Sequence, residues 1–349
     1  MPDSPVHRTE IPHAQSPLLT SLLRDVSRSF YLTMRALPNS IRPQISLAYL
    51  LARATDTIAD TDLIPPDDRL NSLNVLRERI LGTREIPVNF GKLAEHQANP
   101  SEQVLLRRVE EALTVLGSFS YSDQIRIREV LNTITTGQEL DLKRFHQDEQ
   151  KELISLENDD ELDDYTYKVA GCVGEFWTKT CRSHLFPKAA MDDSTLLENG
   201  IRFGKGLQLV NILRDLPRDL EQGRCYIPRQ KLDAIGLRPP DLLDPNMEPA
   251  FRALYHGYLD KAENHLMAGW EYTNSLPKRF VRLRLACSWP ILIGDRTIAK
   301  LRRANILNRQ TVVKIRRSEV YSIICGSILR YPFPGIWRNL LVRPKSVNS

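Results

Sequence analysis

Cysteine is scarce in this sequence, and no two cysteines have the C-x-x-C spacing. The five cysteines, an odd number, are spread over 349 residues. This usage argues against a disulfide framework and against a zinc site. It fits a reducing compartment, so we expect a cytoplasmic protein.

Long apolar runs are also absent. The first 20 residues contain Asp3, Glu10 and several prolines, and they lack the continuous apolar stretch of a signal peptide. The longest apolar tract near the C-terminus, residues 320–329, is too short to span a bilayer. We therefore expect neither secretion nor an integral membrane protein.

Alternating strand patterns, internal repeats and low-complexity linkers are missing as well. Apolar residues instead recur at helical spacing between proline and glycine breaks. Pro217 indicates that the helix before it kinks or ends there, and Gly171 and Gly174 leave room for close approach of another backbone or a ligand. We expect one all-α domain over residues 18–330, between a flexible N-terminus at 1–17 and a basic, aromatic tail at 331–349. The predicted helices cover residues 18–32, 45–58, 69–81, 101–116, 122–145, 162–185, 195–216, 250–275, 278–304 and 312–329.

Two acidic pairs stand out against this helical background. Asp56 and Asp60 are four residues apart, and so are Asp215 and Asp219. This spacing is about one helical turn, so each pair places two carboxylates on one face. Both pairs adjoin apolar runs, where like charges are costly unless cations compensate them. Opposed across a cavity, such faces could hold Mg²⁺ and substrate phosphates, which indicates diphosphate chemistry; a solvated acidic face is the alternative.

Arginines accompany both acidic pairs. Arg53 lies nearly one turn before Asp56, Arg214 directly precedes Asp215, and Arg218 lies within the second motif. A guanidinium group binds phosphate oxygens in a bidentate manner, so this combination suits a diphosphate leaving group. Alternatively, the arginines only neutralise the aspartates as salt bridges.

Four segments of the sequence, in order, resemble the motifs of the squalene and phytoene synthase family, the head-to-head prenyl transferases. They are VSRSFYLTM at 26–34, YLLARATDTIAD at 49–60, YTYKVAGCVGEFW at 165–177 and GLQLVNILRDLPRDLEQGRCYIP at 206–228. The resemblance spans most of the chain. It implies an isoprenoid synthase fold, a single helical domain around a central cavity.

The resemblance also implies roles for individual residues. Tyr165 matches the family's catalytic tyrosine, and the four aspartates and Arg53 would take part in catalysis. The matching metal ligands, for Mg²⁺, are Asp56, Asp60, Asn211, Asp215 and Asp219. The matching substrate-binding positions are Ser27, Arg28, Phe30, Tyr49, Arg53, Gln208, Arg214, Arg224 and Tyr226. Alternatively, Tyr165 and Phe30 are core aromatics, and Gln208 and Asn211 are polar residues facing solvent.

The implied reaction joins two prenyl diphosphates. The wording S-R-S-F and R-A-T-D-T-I-A-D is closer to squalene synthases, so we expect two farnesyl diphosphates to give squalene through presqualene diphosphate, with reduction by NADPH. No G-x-G-x-x-G motif follows a strand, but this family binds its cofactor without that fold. Phytoene synthesis from geranylgeranyl diphosphate stays open, as do enzymes that stop at presqualene diphosphate, hydroxysqualene or dehydrosqualene. A non-catalytic scaffold relative is the alternative of another class.

Positive charge is concentrated near the C-terminus. Residues 298–345 hold eleven Lys or Arg against Glu319 alone, mixed with apolar residues that include Leu329, Phe333 and Trp337. This composition suits peripheral contact with an anionic membrane, on its inner face; a solvated basic face on terminal helices is the alternative. Nucleic acid binding is not expected, because no recognised module accompanies the charge.

Overall fold

The computed structural model describes residues 21–27, 30–61, 64–145 and 153–341. Of these residues 74% are helical and very few are in strands, as the sequence predicts. The α-helices are α1 Leu23–Ser27, α2 Phe30–Ala36, α3 Arg42–Ala59, α4 Pro66–Leu81, α5 Gly91–Glu95, α6 Pro100–Arg107, α7 Val109–Gly117, α8 Tyr121–Arg144, α9 Asp159–Thr166, α10 Cys172–His184, α11 Asp193–Glu221, α12 Arg229–Asp233, α13 Glu248–Ser275, α14 Val281–Leu301, α15 Arg317–Arg330 and α16 Pro334–Arg338.

Several helices differ from the predicted boundaries. The predicted helix 101–116 is divided into α6 and α7 at Arg108, and the predicted helix 312–329 begins only at Arg317. Pro217 does not end α11, which continues to Glu221; the proline removes one backbone donor, but α11 packs along α13, α10 and α14, which hold it in place. The helix α5 is only five residues long, and it lies between the predicted helices 69–81 and 101–116, where no helix is predicted. The predicted flexible segment 1–17 lies outside the described residues.

The chain divides into two compact units, Met1–Leu131 and Asn132–Ser349, and α8 begins in the first and ends in the second. In the first unit, α3 is the central helix. Leu47, Leu50 and Leu51 of α3 are fully buried, and α3 packs against α4, α6 and α7. The residues around the first acidic pair are therefore fixed by a packed core.

In the second unit, α11 is the central helix. It packs against α10, α13, α14 and a π-helical turn, Tyr167–Gly171, that joins α9 to α10. The contact is unusually close: a Cβ atom at Gly174 would lie 1.9 Å from the Gly200 carbonyl oxygen, and one at Gly204 would lie 2.1 Å from the Ala170 carbonyl oxygen. The close approach predicted for Gly174 is therefore to a neighbouring backbone.

A two-residue parallel ladder is the β structure among the described residues. Ile154 pairs with Arg224, and Ser155 pairs with Cys225. These strands are too short to produce an alternating sequence pattern, so the sequence did not reveal them. The ladder brings the segment after α11 beside the chain that leads into α9, which positions Arg224 and Tyr226. Within the same described ranges, no helix combines the length and the apolar character that crossing a membrane requires.

Candidate functional site

The first acidic motif lies at the C-terminal end of α3. Asp56 is on the last turn, and Asp60 caps the helix through its backbone N–H, which donates to the Asp56 carbonyl at 2.8 Å. Thr55, Thr57 and Ile58 are buried, whereas 45% of the Asp56 side chain is exposed and Asp60 is exposed. The two carboxylates therefore leave a buried helix at a solvent-accessible end.

Arg53, one turn earlier, is held mainly by a residue that the sequence did not reveal. Its Nη2 donates to Glu102 Oε1 at 2.5 Å, while its Nη1 is 3.9 Å from Asp56 Oδ2. Glu102 lies on α6, and only 14% of its side chain is exposed. A charge-assisted bond to a buried carboxylate fixes a guanidinium group firmly. Glu102 therefore aims Arg53 beside the first motif.

The other predicted binding residues of this unit are only partly described. Ser27 is buried, and its hydroxyl has no hydrogen-bond partner in the described part of the chain. A buried hydroxyl without a partner is costly, and a polar ligand could satisfy it. Tyr49 is half-buried and lies close enough to Arg53 for an electrostatic interaction between the two side chains. Arg28 and the side chain of Phe30 lie outside the described residues.

The second acidic motif lies within α11. Arg214 binds Asp215 in a bidentate manner, with Nε to Oδ1 at 2.8 Å and Nη2 to Oδ2 at 2.6 Å. The salt-bridge alternative therefore describes Arg214 in this structure. Asn211, one turn before Asp215, is exposed, and Gln208 is half-buried. The helix thus presents Asn211, Asp215 and Asp219 at intervals of one turn.

Asp219 is in an unfavourable electrostatic position. Burial and the neighbouring Asp215 carboxylate raise the pKa of Asp219 to about 7, although Arg224 acts in the opposite direction. Asp141, on α8, also raises this pKa. A carboxyl group with such a pKa binds protons tightly because its negative charge is poorly compensated. Perturbed carboxyl groups of this kind are typical of functional sites.

Tyr165 lies beside this motif, in contact with two further residues. Its ring stacks on Tyr226 with centroids 4.8 Å apart, and its hydroxyl donates to the Tyr226 hydroxyl at 3.3 Å. The Tyr226 hydroxyl in turn donates to Asp141, 3.0 Å from Oδ1 and 3.1 Å from Oδ2. Arg224 Nη1 is 3.6 Å from Asp141 Oδ2. The structure therefore brings together Tyr165, Arg224 and Tyr226, three predicted residues, and adds Asp141.

The acidic pairs fit a hard divalent cation in their donor chemistry. Carboxylate oxygens are the ligands that Mg²⁺ prefers, and Mg²⁺ usually keeps several waters and takes only one or two protein carboxylates alongside substrate phosphates. Within the described ranges, no three or more His, Cys, Asp or Glu side chains group into a metal site. Pairs of carboxylates are what this binding mode requires. Burial, together with the Asp215 carboxylate, raises the pKa of Asp219 to about 7, and a bound cation would favour its ionised form.

Sequence comparison supports the family resemblance. A family model described as squalene/phytoene synthase matches residues 23–319. A presqualene diphosphate synthase of Sinorhizobium fredii is 30% identical, covering 73% of this chain and 77% of the relative. A squalene synthase of Schizosaccharomyces pombe is 28% identical over 88% of this chain and 64% of its own length. A bifunctional lycopene cyclase/phytoene synthase of Gibberella fujikuroi is 29% identical over 86% of this chain and 50% of its own length, so the chain spans half of that relative.

Solved structures share the fold. A ligand complex of TcSQS superimposes with a TM-score of 0.73 at 21% identity, covering 95% of this chain and 93% of the other. A dehydrosqualene synthase complex has a TM-score of 0.61 at 21% identity, covering 91% and 96%. The predicted isoprenoid synthase fold is confirmed. Together with the match over residues 23–319, these findings establish that the chain belongs to the squalene/phytoene synthase family.

Proposed function

We propose that this protein condenses two farnesyl diphosphates head to head, through presqualene diphosphate, to squalene, with NADPH as the reductant. Family membership makes it a prenyltransferase of the squalene or phytoene synthase type. The observation that carries the proposal is that both carboxylate pairs have an arginine within ion-pair distance, Arg53 at 3.9 Å from Asp56 and Arg214 at 2.6 Å from Asp215. Carboxylates for cations and guanidinium groups for phosphate oxygens are the two components of a diphosphate site.

Both aspartate motifs serve this reaction in our proposal. Asp56 and Asp60 would hold Mg²⁺ at one motif, and Asn211, Asp215 and Asp219 would hold it at the other. When bound, the cation withdraws charge from the departing diphosphate. A cation on Asp215 would also compete with Arg214 for that carboxylate, which would let the guanidinium group turn towards diphosphate oxygens. Glu102 would keep Arg53 in place throughout.

Tyr165 and the small residues near it would control the carbocation. Departure of one diphosphate leaves an allylic cation that the double bond of the second substrate attacks, and loss of a proton then closes the cyclopropane ring. We propose that Tyr165 accepts this proton. Gly174 offers no room for a prenyl tail, because the Gly200 backbone occupies the space beside it. Its role is therefore helix packing.

One product assay tests both the chain length of the substrate and the need for a reductant. Purified protein is given Mg²⁺ with farnesyl or geranylgeranyl diphosphate, with and without NADPH, and the extracted products are identified by mass spectrometry. We expect squalene from farnesyl diphosphate only when NADPH is present. Phytoene from geranylgeranyl diphosphate as the main product would refute the farnesyl assignment, and no condensation by the wild type under any condition would favour a scaffold relative.

A second candidate is an enzyme that stops at presqualene diphosphate. It is favoured by the relative from Sinorhizobium fredii, which bears that name and is matched over 77% of its length. Such an enzyme would use the same aspartates, since the first half-reaction is common to both. In the assay above, presqualene diphosphate that persists when NADPH is present would identify it.

We also propose that the C-terminal helices contact an anionic membrane surface. On α15, Tyr321, Cys325, Ile328 and Leu329 are all exposed, and their spacing places them on one helical face. The opposite face packs on α14, where Trp289 Nε1 donates to the buried Ser327 hydroxyl at 3.0 Å. The exposed Arg317 adjoins this apolar face, and the exposed Arg316 directly precedes the helix, which suits anionic headgroups.

One aromatic residue of the predicted tail does not take part in that surface. Trp337 is buried and stacks on Trp270 with centroids 5.2 Å apart. Its Nε1 donates to Asn274 Oδ1 at 2.9 Å. Arg284 lies over the Trp337 ring, 5.6 Å from its centroid. Phe333 and Ile336, which flank it, are exposed. Residues 342–349, with Arg343 and Lys345, lie outside the described residues.

The membrane proposal predicts a specific loss of vesicle binding. Leu329→Glu removes a side chain that is 73% exposed and adds a negative charge, so binding to vesicles that contain phosphatidylglycerol should fall by about tenfold. The matched control is Ile86→Glu in the first unit, which is 67% exposed and should leave binding unchanged. Cosedimentation measures both. Equal binding of wild type and Leu329→Glu, or equal binding to neutral vesicles, would contradict the proposal.

A further inference from the structure

Asp141 lies at the end of a chain of hydrogen bonds that starts at Tyr165. The Tyr165 hydroxyl donates to Tyr226 at 3.3 Å, and the Tyr226 hydroxyl is nearly equidistant from the two oxygens of Asp141, at 3.0 and 3.1 Å. All three residues lie in the second unit. Neither the motifs nor the sequence spacing singled out Asp141, which is 85 residues from Tyr226 in the chain.

Tyr165 alone is a poor base. Burial, followed by the negative charge of Asp141, raises the pKa of Tyr165 well above its ordinary value. Burial and Asp141 raise the pKa of Tyr226 in the same direction. Neither phenol therefore carries a stable negative charge at neutral pH. If Tyr165 takes a proton from the substrate, its own hydroxyl proton must leave in the same step.

The environment of Asp141 suits it to receive that proton. Its carboxylate accepts from Tyr226, and Arg224 Nη1 lies 3.6 Å from Oδ2, so the ionised form is stabilised. The Phe145 ring packs edge-on against Tyr226, with centroids 5.2 Å apart, and this contact together with the Tyr165 stack fixes the Tyr226 ring. Asp141 belongs to no metal-binding group of three acidic residues among those described.

We propose that Asp141 is the terminal proton acceptor of a relay that runs from Tyr165 through Tyr226. This inference rests on the proposed function, because it takes Tyr165 as the base. In the step, the electrons of the breaking substrate C–H bond close the cyclopropane ring. The proton goes to the Tyr165 oxygen, the Tyr165 proton goes to the Tyr226 oxygen, and the Tyr226 proton goes to the Asp141 carboxylate. Asp141 acts through the tyrosines and does not touch the substrate.

Asp141→Asn and Tyr226→Phe test the relay. The asparagine oxygen still accepts from Tyr226 but cannot take a proton at neutral pH, whereas phenylalanine keeps the ring and removes the hydroxyl. Each variant should lower the single-turnover yield of presqualene diphosphate by about 100-fold or more. The double variant should be no worse than either single one, because both interrupt the same relay. Asp141→Glu, which restores a carboxylate, should recover part of the yield.

A second readout separates proton transfer from structural damage. Ionisation of the first substrate does not need the relay, and a cation that is not deprotonated is open to capture by water. In Asp141→Asn, the ratio of diphosphate released to C30 product should therefore rise, with farnesol-type alcohols as the new products. A merely structural defect lowers both quantities together.

A second tyrosine–aspartate pair in the same unit supplies the matched control. The Tyr258 hydroxyl donates to Asp159 Oδ1 at 2.9 Å. Neither residue belongs to the proposed relay or to the acidic motif of α11. Tyr258→Phe and Asp159→Asn should leave the product ratio unchanged. Yields of Asp141→Asn within about twofold of wild type, multiplicative losses in the double variant, or rescue of Asp141→Asn by excess Mg²⁺ would overturn the relay. A wild type that forms no C30 product would instead overturn the proposed function, and the relay with it.

Discussion

Asp219→Asn should lower condensation of farnesyl diphosphate by about 1,000-fold, the scale expected when a charged group that stabilises a departing anion is removed. Asparagine keeps the shape of the side chain but loses the charge that would hold Mg²⁺. The measurement is the initial rate of diphosphate release at saturating Mg²⁺. Asp193→Asn, at the exposed start of the same helix and paired with Arg182, is the control and should leave the rate within about twofold of wild type.

The same substitution should stabilise the protein in the absence of metal. Because the folded-state pKa of Asp219 is raised to about 7, the wild type loses stability as pH rises from the unfolded-state pKa, about 4, through the folded-state pKa. Asparagine does not titrate, so its advantage in thermal unfolding should be absent below about pH 4 and complete above about pH 7. Equal melting temperatures at about pH 8 would show that the Asp219 charge is already compensated.

Gly174→Ala should be among the most destabilising single substitutions in the chain. The added Cβ atom would lie 1.9 Å from the Gly200 carbonyl oxygen, a distance that forces α10 and α11 apart. We expect the free energy of unfolding to fall by about 3 kcal/mol, the upper end of the usual cost of overpacking. Chemical denaturation measures it.

Gly257 offers the matched control for that experiment. It lies within α13, and nothing lies within 4 Å of the Cβ atom that alanine would add. Gly257→Ala should therefore raise the free energy of unfolding by about 0.5–1 kcal/mol, because glycine costs backbone entropy in a helix. A Gly174→Ala variant as stable as wild type would contradict the close helix contact.

Local spacing predicted most of the helices, because helical periodicity depends on residues within one or two turns. Asp56 is four residues from Asp60, so their common face follows from helix geometry alone. The prediction that the helix could end at Pro217 was wrong, because α11 continues to Glu221 and is held by tertiary packing. The packing of α11 on its neighbours is not visible in the local pattern.

Residues brought together from distant parts of the chain could not be predicted. Glu102 is 49 residues from Arg53, and no periodicity connects them. Tyr226 directly follows the short β ladder and bonds to Asp141 of α8. The ladder is too short to leave a sequence pattern, so this pairing could not be predicted. Trp337 belongs to a basic, aromatic segment whose composition suits a membrane surface, but its side chain is buried against Trp270. In each case the partner is set by tertiary structure, to which a single sequence gives no direct access.

The central claim, head-to-head coupling, is tested most directly by the structure of the first product. Purified protein is incubated with carbon-13-labelled farnesyl diphosphate and Mg²⁺ without NADPH, and the C30 product is analysed by NMR and mass spectrometry. We predict presqualene diphosphate, with the labelled C1 carbon of one substrate in the cyclopropane ring, and none from Asp56→Ala or Asp215→Ala. A head-to-tail product, or a C30 product that persists in both variants, would contradict the account.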